Sequence, residues 1–103
     1  MAFSKSYIYP KDLQQQAFYM KALGHPERLS IIQLLRSSGS QCVTTIAQNS
    51  PLHFAAVSQH LAILRKSRLV TYEEHFPFTF YAVDDHVYSN AAEKLCAFFT
   101  EGS

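Results

Sequence analysis

The stretch HFAAVSQHLAILRKSRLV, at residues 53–70, has the spacing of one amphipathic helix that ends in a cluster of cations. Its apolar side chains recur at i, i+4 and i+7, and they are Val57, Leu61 and Leu64. This spacing puts them on one face of a helix from about residue 53 to residue 66, and Phe54 extends the seam by one turn. The cations at its end are Arg65, Lys66 and Arg68, and no carboxylate lies in the stretch. A solvated helix face usually mixes both signs of charge, so this helix is suited to a polyanionic partner.

The composition predicts one packed domain. Of 103 residues, 48% are hydrophobic and 17% are charged, which favours a buried core over disorder. No apolar run is long enough to cross a membrane, and the start of the chain does not resemble a signal peptide. Two cysteines, Cys42 and Cys96, are too few for a disulfide scaffold and suit a reducing compartment. We therefore expect a single cytoplasmic domain over residues 1–103.

Charge is divided along the chain, although the net charge is only +1. Residues 28–72 contain five arginines and lysines and no carboxylate, whereas residues 73–103 contain six carboxylates and one lysine. The division predicts one face for an anionic partner and another face that avoids it. Chance clustering in a small protein is the alternative interpretation.

The periodicity predicts five helices and two strands. The helices are expected at residues 10–23, 26–37, 44–48, 53–66 and 84–100, and the strands at 69–74 and 78–83 around a turn at Pro77. This order is typical of a winged helix-turn-helix domain, which is mainly α with a small β-hairpin wing. The helix-turn-helix is expected at about residues 43–67 and the wing at about 69–83.

The first and last helices carry more apolar side chains than a small monomer easily covers, which is a common sign of an interface. The first helix has an apolar stripe at Leu13, Ala17 and Met20, with Phe18 and Tyr19 beside it. The last helix offers Tyr88, Ala92, Leu95, Phe98 and Phe99. Gln14, Gln15 and Gln16 are expected on a solvated face of the first helix. We predict a homodimer in which the last helix, about residues 84–100, is a dimerisation helix.

Two segments resemble the bacterial ArsR/SmtB family of winged-helix repressors. They are KALGHPERLSIIQLL, residues 21–35, and AVSQHLAILRKSRLV, residues 56–70, and the resemblance extends over roughly residues 18–88. It implies a homodimer that pairs through its first and last helices. It also implies that the dimer sits on double-stranded operator DNA and leaves when an effector binds or a thiol is modified.

The recognition helix, about residues 53–66, carries the residues that the resemblance assigns to DNA. Ser58 and Gln59 stand where the family contacts DNA, and His60 matches a family histidine that either packs between helices or touches DNA. The polar run that the family has before them is replaced here, so fewer hydrogen bonds to bases are expected, although Ala55 or Ala56 is suited to contact a thymine methyl group. The predicted DNA-binding residues are Phe54, Ala55, Ala56, Ser58, Gln59, His60, Arg65, Lys66 and Arg68.

The sequence departs from the family pattern at two places beyond this helix. The family often has glycine at position 68, so Arg68 either accepts that conformation or the helix ends differently. The family commonly has glycine and arginine at the wing tip, whereas this chain has Glu74, His75, Phe76, Pro77 and Phe78. Phe76 and Phe78 are expected to pack against the protein rather than to form a partner surface.

The residues do not complete a metal site of the family. The thiolate motif is reduced to Cys42, and the Asp84-x-His86 pair at the last helix is followed by Ala97 and Thr100 where the family has ligands. In the shifted register that starts at Asp85, Val87 and Phe98 take the ligand positions. We therefore predict neither a metal site nor a cofactor. Cys42 and Cys96 are a candidate thiol sensor, although two buried, inert thiols is the favoured interpretation.

Two functions remain open from the sequence. The first is a homodimeric, sequence-specific transcriptional regulator, a repressor, with an effector that the sequence does not name. The alternative is a winged-helix protein-interaction dimer that has lost operator binding, which the acidic and aromatic wing favours. An enzyme is not expected, because no nucleophile motif surrounds Cys42 and no paired acid and base stand at useful spacing.

Overall fold

Five helices surround a small antiparallel sheet in the computed structural model, which describes residues 8–101. The helices are α1 (Lys11–Leu23), α2 (Pro26–Ser38), α3 (Val43–Gln48), α4 (Phe54–Lys66) and α5 (Asp85–Glu101). The strands are β1 (Gln41–Cys42), β2 (Val70–His75) and β3 (Phe78–Val83). The mainly α fold with a winged helix-turn-helix is confirmed. Each predicted helix or strand end lies within one residue of its observed place.

The core is built around the apolar seam of α4. Val57, Leu61 and Leu64 have no solvent-exposed surface. They pack with residues from five neighbouring elements, which are Ala22 of α1, Ile31, Ile32 and Leu35 of α2, Ile46 of α3, Val70 of β2 and Ala91 of α5. Phe54 does not extend this seam as expected, because it lies at the first turn of the helix and remains 55% exposed.

The sheet has a third strand that the periodicity did not predict. β1 is only two residues long and pairs antiparallel with β3, through Gln41 with Tyr81 and Cys42 with Phe80. The strand order is β1-β3-β2, so the wing hairpin is extended on its β3 side by the short strand that leads into α3. Two residues are too short for an alternating pattern to be recognised.

The inner face of α1 is not the apolar stripe that the sequence indicated. Gln16 is buried, and its Nε2 donates a hydrogen bond to the backbone carbonyl of Lys94 on α5 at 3.2 Å. The expectation of a solvated face is therefore wrong for Gln16. The apolar stripe faces outward instead, with Leu13 and Ala17 exposed. In residues 8–101 no helix is both long and apolar enough to cross a membrane.

Helix α4 ends in a turn that requires a left-handed residue. The amide of Leu69 donates to the carbonyl of Leu64 at 3.2 Å, and the amide of Arg68 donates to that of Arg65 at 2.9 Å. This pair of bonds is a Schellman motif, which places one residue in the left-handed region. That residue is Arg68, with φ of 67°. Of the two alternatives that the sequence left open, Arg68 accepts the left-handed conformation, and its side chain costs strain that glycine would avoid.

Replacing Arg68 by glycine is expected to raise the free energy of unfolding by about 0.5–1 kcal/mol. Relief of about 1–2 kcal/mol of left-handed strain exceeds the roughly 0.5–1 kcal/mol of extra chain entropy that glycine brings to the unfolded state. Urea denaturation measures the difference. Arg68→Ala is the matched control, because it removes the charge and keeps the Cβ. If the alanine and glycine variants are equally stable, strain at this residue is not the cause.

Candidate nucleic-acid interface

The face of α4 opposite its buried seam is free of contacts with the core. Ala55, Gln59 and Ala62 are exposed there, and Ala56 and Ser58 are half-buried at its edges. His53 directly precedes the helix, and its side chain makes no hydrogen bond to the first turn. A helix with one face buried and the other polar or small is the shape that enters a major groove.

Three cations lie at the C-terminal end of this face. Arg65, Lys66 and Arg68 are all exposed, and within residues 8–101 none of them forms an ion pair. The guanidinium of Arg65 lies 4.4 Å from the ring centroid of Tyr72 on β2, a cation–π contact that orients it. Tyr72 was not identified from the sequence, because nothing local to it indicates a helix residue as its neighbour.

The other two cations of residues 28–72 do not belong to this face. Arg36 packs on Tyr88 of α5, with its guanidinium 4.4 Å from the ring centroid and Nη1 donating to the phenol oxygen at 3.1 Å. Arg28 is half-buried and bonded within the protein. The expectation that the whole positive block forms one anion-binding face is therefore wrong. Of the cations in residues 28–72, the three at the end of α4 are the ones that lie at this face, and Arg65 among them also contacts Tyr72.

Arg28 joins α1, α2 and α4 through its guanidinium. Nε donates to the carbonyl of Ala22 at 2.7 Å, and Nη2 donates to that of Lys21 at 3.3 Å. These carbonyls belong to the last turn of α1, where helix carbonyls lack partners within the helix. Nη1 lies 2.9 Å from Nδ1 of His60 on α4. Arginine has no acceptor, so His60 Nδ1 accepts this bond and carries no proton.

His60 thus has a packing role between the helices. Its ring lies 4.2 Å from that of His25, at the start of α2. Burial, His25 and Arg28 all lower the pKa of His60 below its usual value of 6.5, and Glu27 acts in the opposite direction. The neutral ring is the form that the Arg28 contact needs. A DNA contact through the remaining nitrogen, Nε2, stays a prediction.

The wing tip is open to solvent. Phe76 is 98% exposed and Phe78 is 53% exposed, so the expectation that they pack against the protein is wrong. β1 pairs with β3 farther from the turn, so at the tip the two strands of the hairpin pair only with each other and extend beyond the three-stranded part of the sheet. The wing carries Glu73 and Glu74 and no lysine or arginine between residues 69 and 83. It therefore lacks the cations that would grip phosphates.

The two cysteines have different surroundings. Cys42 is half-buried where β1 meets α3, whereas Cys96 on α5 is exposed, and both are free thiols. The interpretation as two buried thiols is therefore wrong for Cys96. A thiol-sensor role for this pair stays a prediction. In the part of the chain that the structure describes, no three histidine, cysteine or carboxylate side chains converge to hold a metal ion.

An open apolar cleft lies between the outer faces of α1 and α5. Its volume is about 590 Å³. The residues that line it are Tyr9, Leu13, Gln14, Gln16, Ala17, Phe18, Met20 and Phe98. Exposing apolar surface of this kind to water costs free energy, and such surface is typical of an interface.

Sequence comparison connects this geometry with known regulators. The arsR family of bacterial regulatory proteins matches over residues 25–72, which include α2, α3, α4 and the start of β2. The chain is 37% identical over 75 residues to an HTH-type transcriptional regulator of Methanocaldococcus jannaschii, which covers 72% of this chain and 84% of that protein. The chain belongs to the ArsR family. It is also 31% identical over 80 residues to the arsenical resistance operon repressor of Bacillus subtilis, with 77% and 76% of the two chains covered.

A solved structure shows the same fold for another ArsR-like chain. The crystal structure of a "possible transcriptional regulator for arsenical resistance" superposes with a TM-score of 0.74 at 29% identity, over 81% of this chain and 85% of that one. This ArsR-family protein is accordingly a transcriptional regulator with a DNA-binding winged helix, and it is not an enzyme.

The stability of this ArsR-family protein should fall as the pH drops below about 6.5, and His60 should account for part of the fall. Because the pKa of His60 is lower in the folded state, the unfolded chain binds its proton first as the pH falls. His60 therefore contributes fully above the unfolded pKa of 6.5, and its contribution declines below it. His60→Asn keeps an acceptor for Arg28 and does not titrate.

Urea denaturation at pH 8 and pH 5.5 measures this effect. The loss of unfolding free energy between the two pH values should be smaller in His60→Asn than in the unmodified protein. His86→Asn is the control, since His86 is exposed at the start of α5. Equal pH dependence of the unfolding free energy in the two variants would show that His60 is not the cause of the loss.

Proposed function

We propose that the protein is a homodimeric repressor that binds operator DNA sequence-specifically in the cytoplasm, with α4 in the major groove. The observation that carries the proposal is the division of α4 into a fully buried seam and an exposed face that ends in three solvent-exposed cations. The seam holds the helix to the core, and the exposed face is left for DNA.

The residues of α4 divide into two roles on this proposal. Ser58 and Gln59 read base edges, and glutamine pairs best with adenine through two hydrogen bonds. The side chains before them, Phe54, Ala55 and Ala56, offer apolar contacts suited to a thymine methyl group. Arg65, Lys66 and Arg68 lie at the helix end, where they meet phosphates and set affinity without reading sequence.

The apolar cleft between α1 and α5 supports pairing of two chains through these helices. Covering the cleft with the same surface of a second copy buries it twice in one symmetric contact. The two recognition helices of such a dimer would reach half-sites about 34–36 Å apart, one turn of DNA. The repressor role is supported by relatives named as an arsenical resistance operon repressor and a transcriptional repressor SmtB homolog. The effector that would release the DNA is not assigned.

The alternative is a protein-interaction dimer that has lost operator binding. The observation that favours it is the wing, which is acidic and aromatic where a DNA-gripping wing needs cations. Selection from a random duplex pool separates the two functions. A palindromic consensus supports the repressor, and a pool without enrichment supports the alternative.

Gln59→Ala is expected to relax the selected consensus at one position in each half-site, at a cost of about 1–3 kcal/mol for the preferred base. The physical reason is the loss of a paired contact to one base edge. Lys66→Ala is the matched control on the same helix. It should weaken binding to all sequences and reduce the slope of log affinity against log salt by about one unit. An unchanged consensus in Gln59→Ala would place base reading elsewhere.

Leu13→Lys is expected to convert the dimer to a monomer, because it buries a charge in the proposed apolar interface. Sedimentation equilibrium at micromolar protein measures the mass. Leu29→Lys is the control, since Leu29 is a half-exposed leucine on α2 that does not line the cleft. The proposal fails if the unmodified protein has a monomer's mass both alone and with DNA.

A further inference from the structure

The wing hairpin has an outer face that the DNA-binding role does not use. The strand register sets Glu73 opposite Phe80 and His75 opposite Phe78. Side chains of directly opposed residues share a face of a sheet, so these four lie together. With Ser40 they line a shallow depression of about 580 Å³ on the side of the sheet away from Val70 and the core. We call these five residues the outer wing face.

The outer wing face combines exposed aromatic surface with negative charge. Phe78 is half-exposed, and Phe76 at the adjoining tip is almost fully exposed. The Glu73 side chain is also exposed, and its one ion-pair neighbour within residues 8–101 is His75, at 3.4 Å from Oε1 to Nε2. No lysine or arginine occurs between residues 69 and 83. Exposed aromatic rings beside a carboxylate suit a partner that is cationic and partly apolar.

The opposite face of the same hairpin shows which cation such a ring accepts. There Tyr72 carries the guanidinium of Arg65 at 4.4 Å. Arg36 lies over Tyr88 at the same distance elsewhere in the fold. The rings of Phe78 and Phe80 carry no cation in the described part of the chain. Both faces of the hairpin thus present aromatic rings, and within residues 8–101 an arginine lies on one of the two faces.

We propose that the outer wing face binds an arginine side chain in a basic segment of another protein. The guanidinium lies flat on the half-exposed ring of Phe78, to which the ring of Phe80 is inclined by 64°, and it faces the carboxylate of Glu73. Guanidinium is favoured over ammonium because it is planar and weakly hydrated, so it stacks and pairs at once. DNA is disfavoured as the occupant, because phosphates would meet Glu73 without a neutralising cation.

Titration of the ¹⁵N-labelled full-length protein with the acetylated peptide Gly-Arg-Gly-Arg-Gly tests the proposal. The titration is run at pH 8. Amide shifts are expected along β2 and β3, and the corresponding lysine peptide should bind at least threefold more weakly. Glu73→Gln and Phe78→Ser should each weaken arginine-peptide binding at least threefold. Glu93→Gln on α5 is the charge control and should leave the affinity unchanged, and thermal melting checks that all variants fold.

Three results would overturn the proposal. The first is the absence of shifts on the wing, and the second is an affinity that falls equally in the Glu93→Gln control. The third comes from a duplex DNA titration of a variant with both Phe76→Ser and Phe78→Ser. A loss of DNA affinity with unchanged peptide affinity would assign the aromatic tip to DNA. Unchanged DNA affinity with weakened peptide binding supports the protein partner, and it does so whether or not an operator is found.

Discussion

The rotation of α4 about its own axis is the constraint on which the rest of the molecule depends. Val57, Leu61 and Leu64 are fully buried, so turning the helix would bring apolar surface into water and polar groups into the core. That fixed rotation determines which residues face outward, and it places Gln59 and Lys66 on the same exposed side of the helix. The same seam holds α2, α3 and β2 in place, since each contributes side chains to it.

The arginines of the positive block make different contacts in the fold, although the sequence shows them only as one run of positive charge. Arg28 satisfies the last carbonyls of α1 and fixes the protonation state of His60. Arg36 joins α2 to α5 through Tyr88, and Arg65 joins α4 to the wing through Tyr72. A net charge per segment therefore overstates the charge available to a polyanion. The number of free cations depends on which side chains find aromatic rings or carbonyls, which only the fold decides.

Features set by neighbours along the chain were predictable, and features set by neighbours in space were not. The seam of α4 and the ends of the helices follow from local spacing and from residues such as Gly39 and Pro26. The left-handed turn at Arg68 was recognised only because the family resemblance marked that position. β1, the burial of Gln16 and the exposure of the wing tip depend on β3, α5 and the lack of a neighbour. No periodicity within those segments carries that information.

The two-residue strand β1 connects the wing to the helix-turn-helix. It is hydrogen-bonded to the middle strand of the sheet and runs directly into α3, the first helix of the helix-turn-helix. A displacement of β3 would therefore act on α3 directly, in addition to acting on α4 through Tyr72 and Arg65. Cys42 is the last residue of β1 and is half-buried. A bulky group attached to this thiol would crowd β3 and α3 at the same time, because Cys42 pairs with Phe80 and immediately precedes α3.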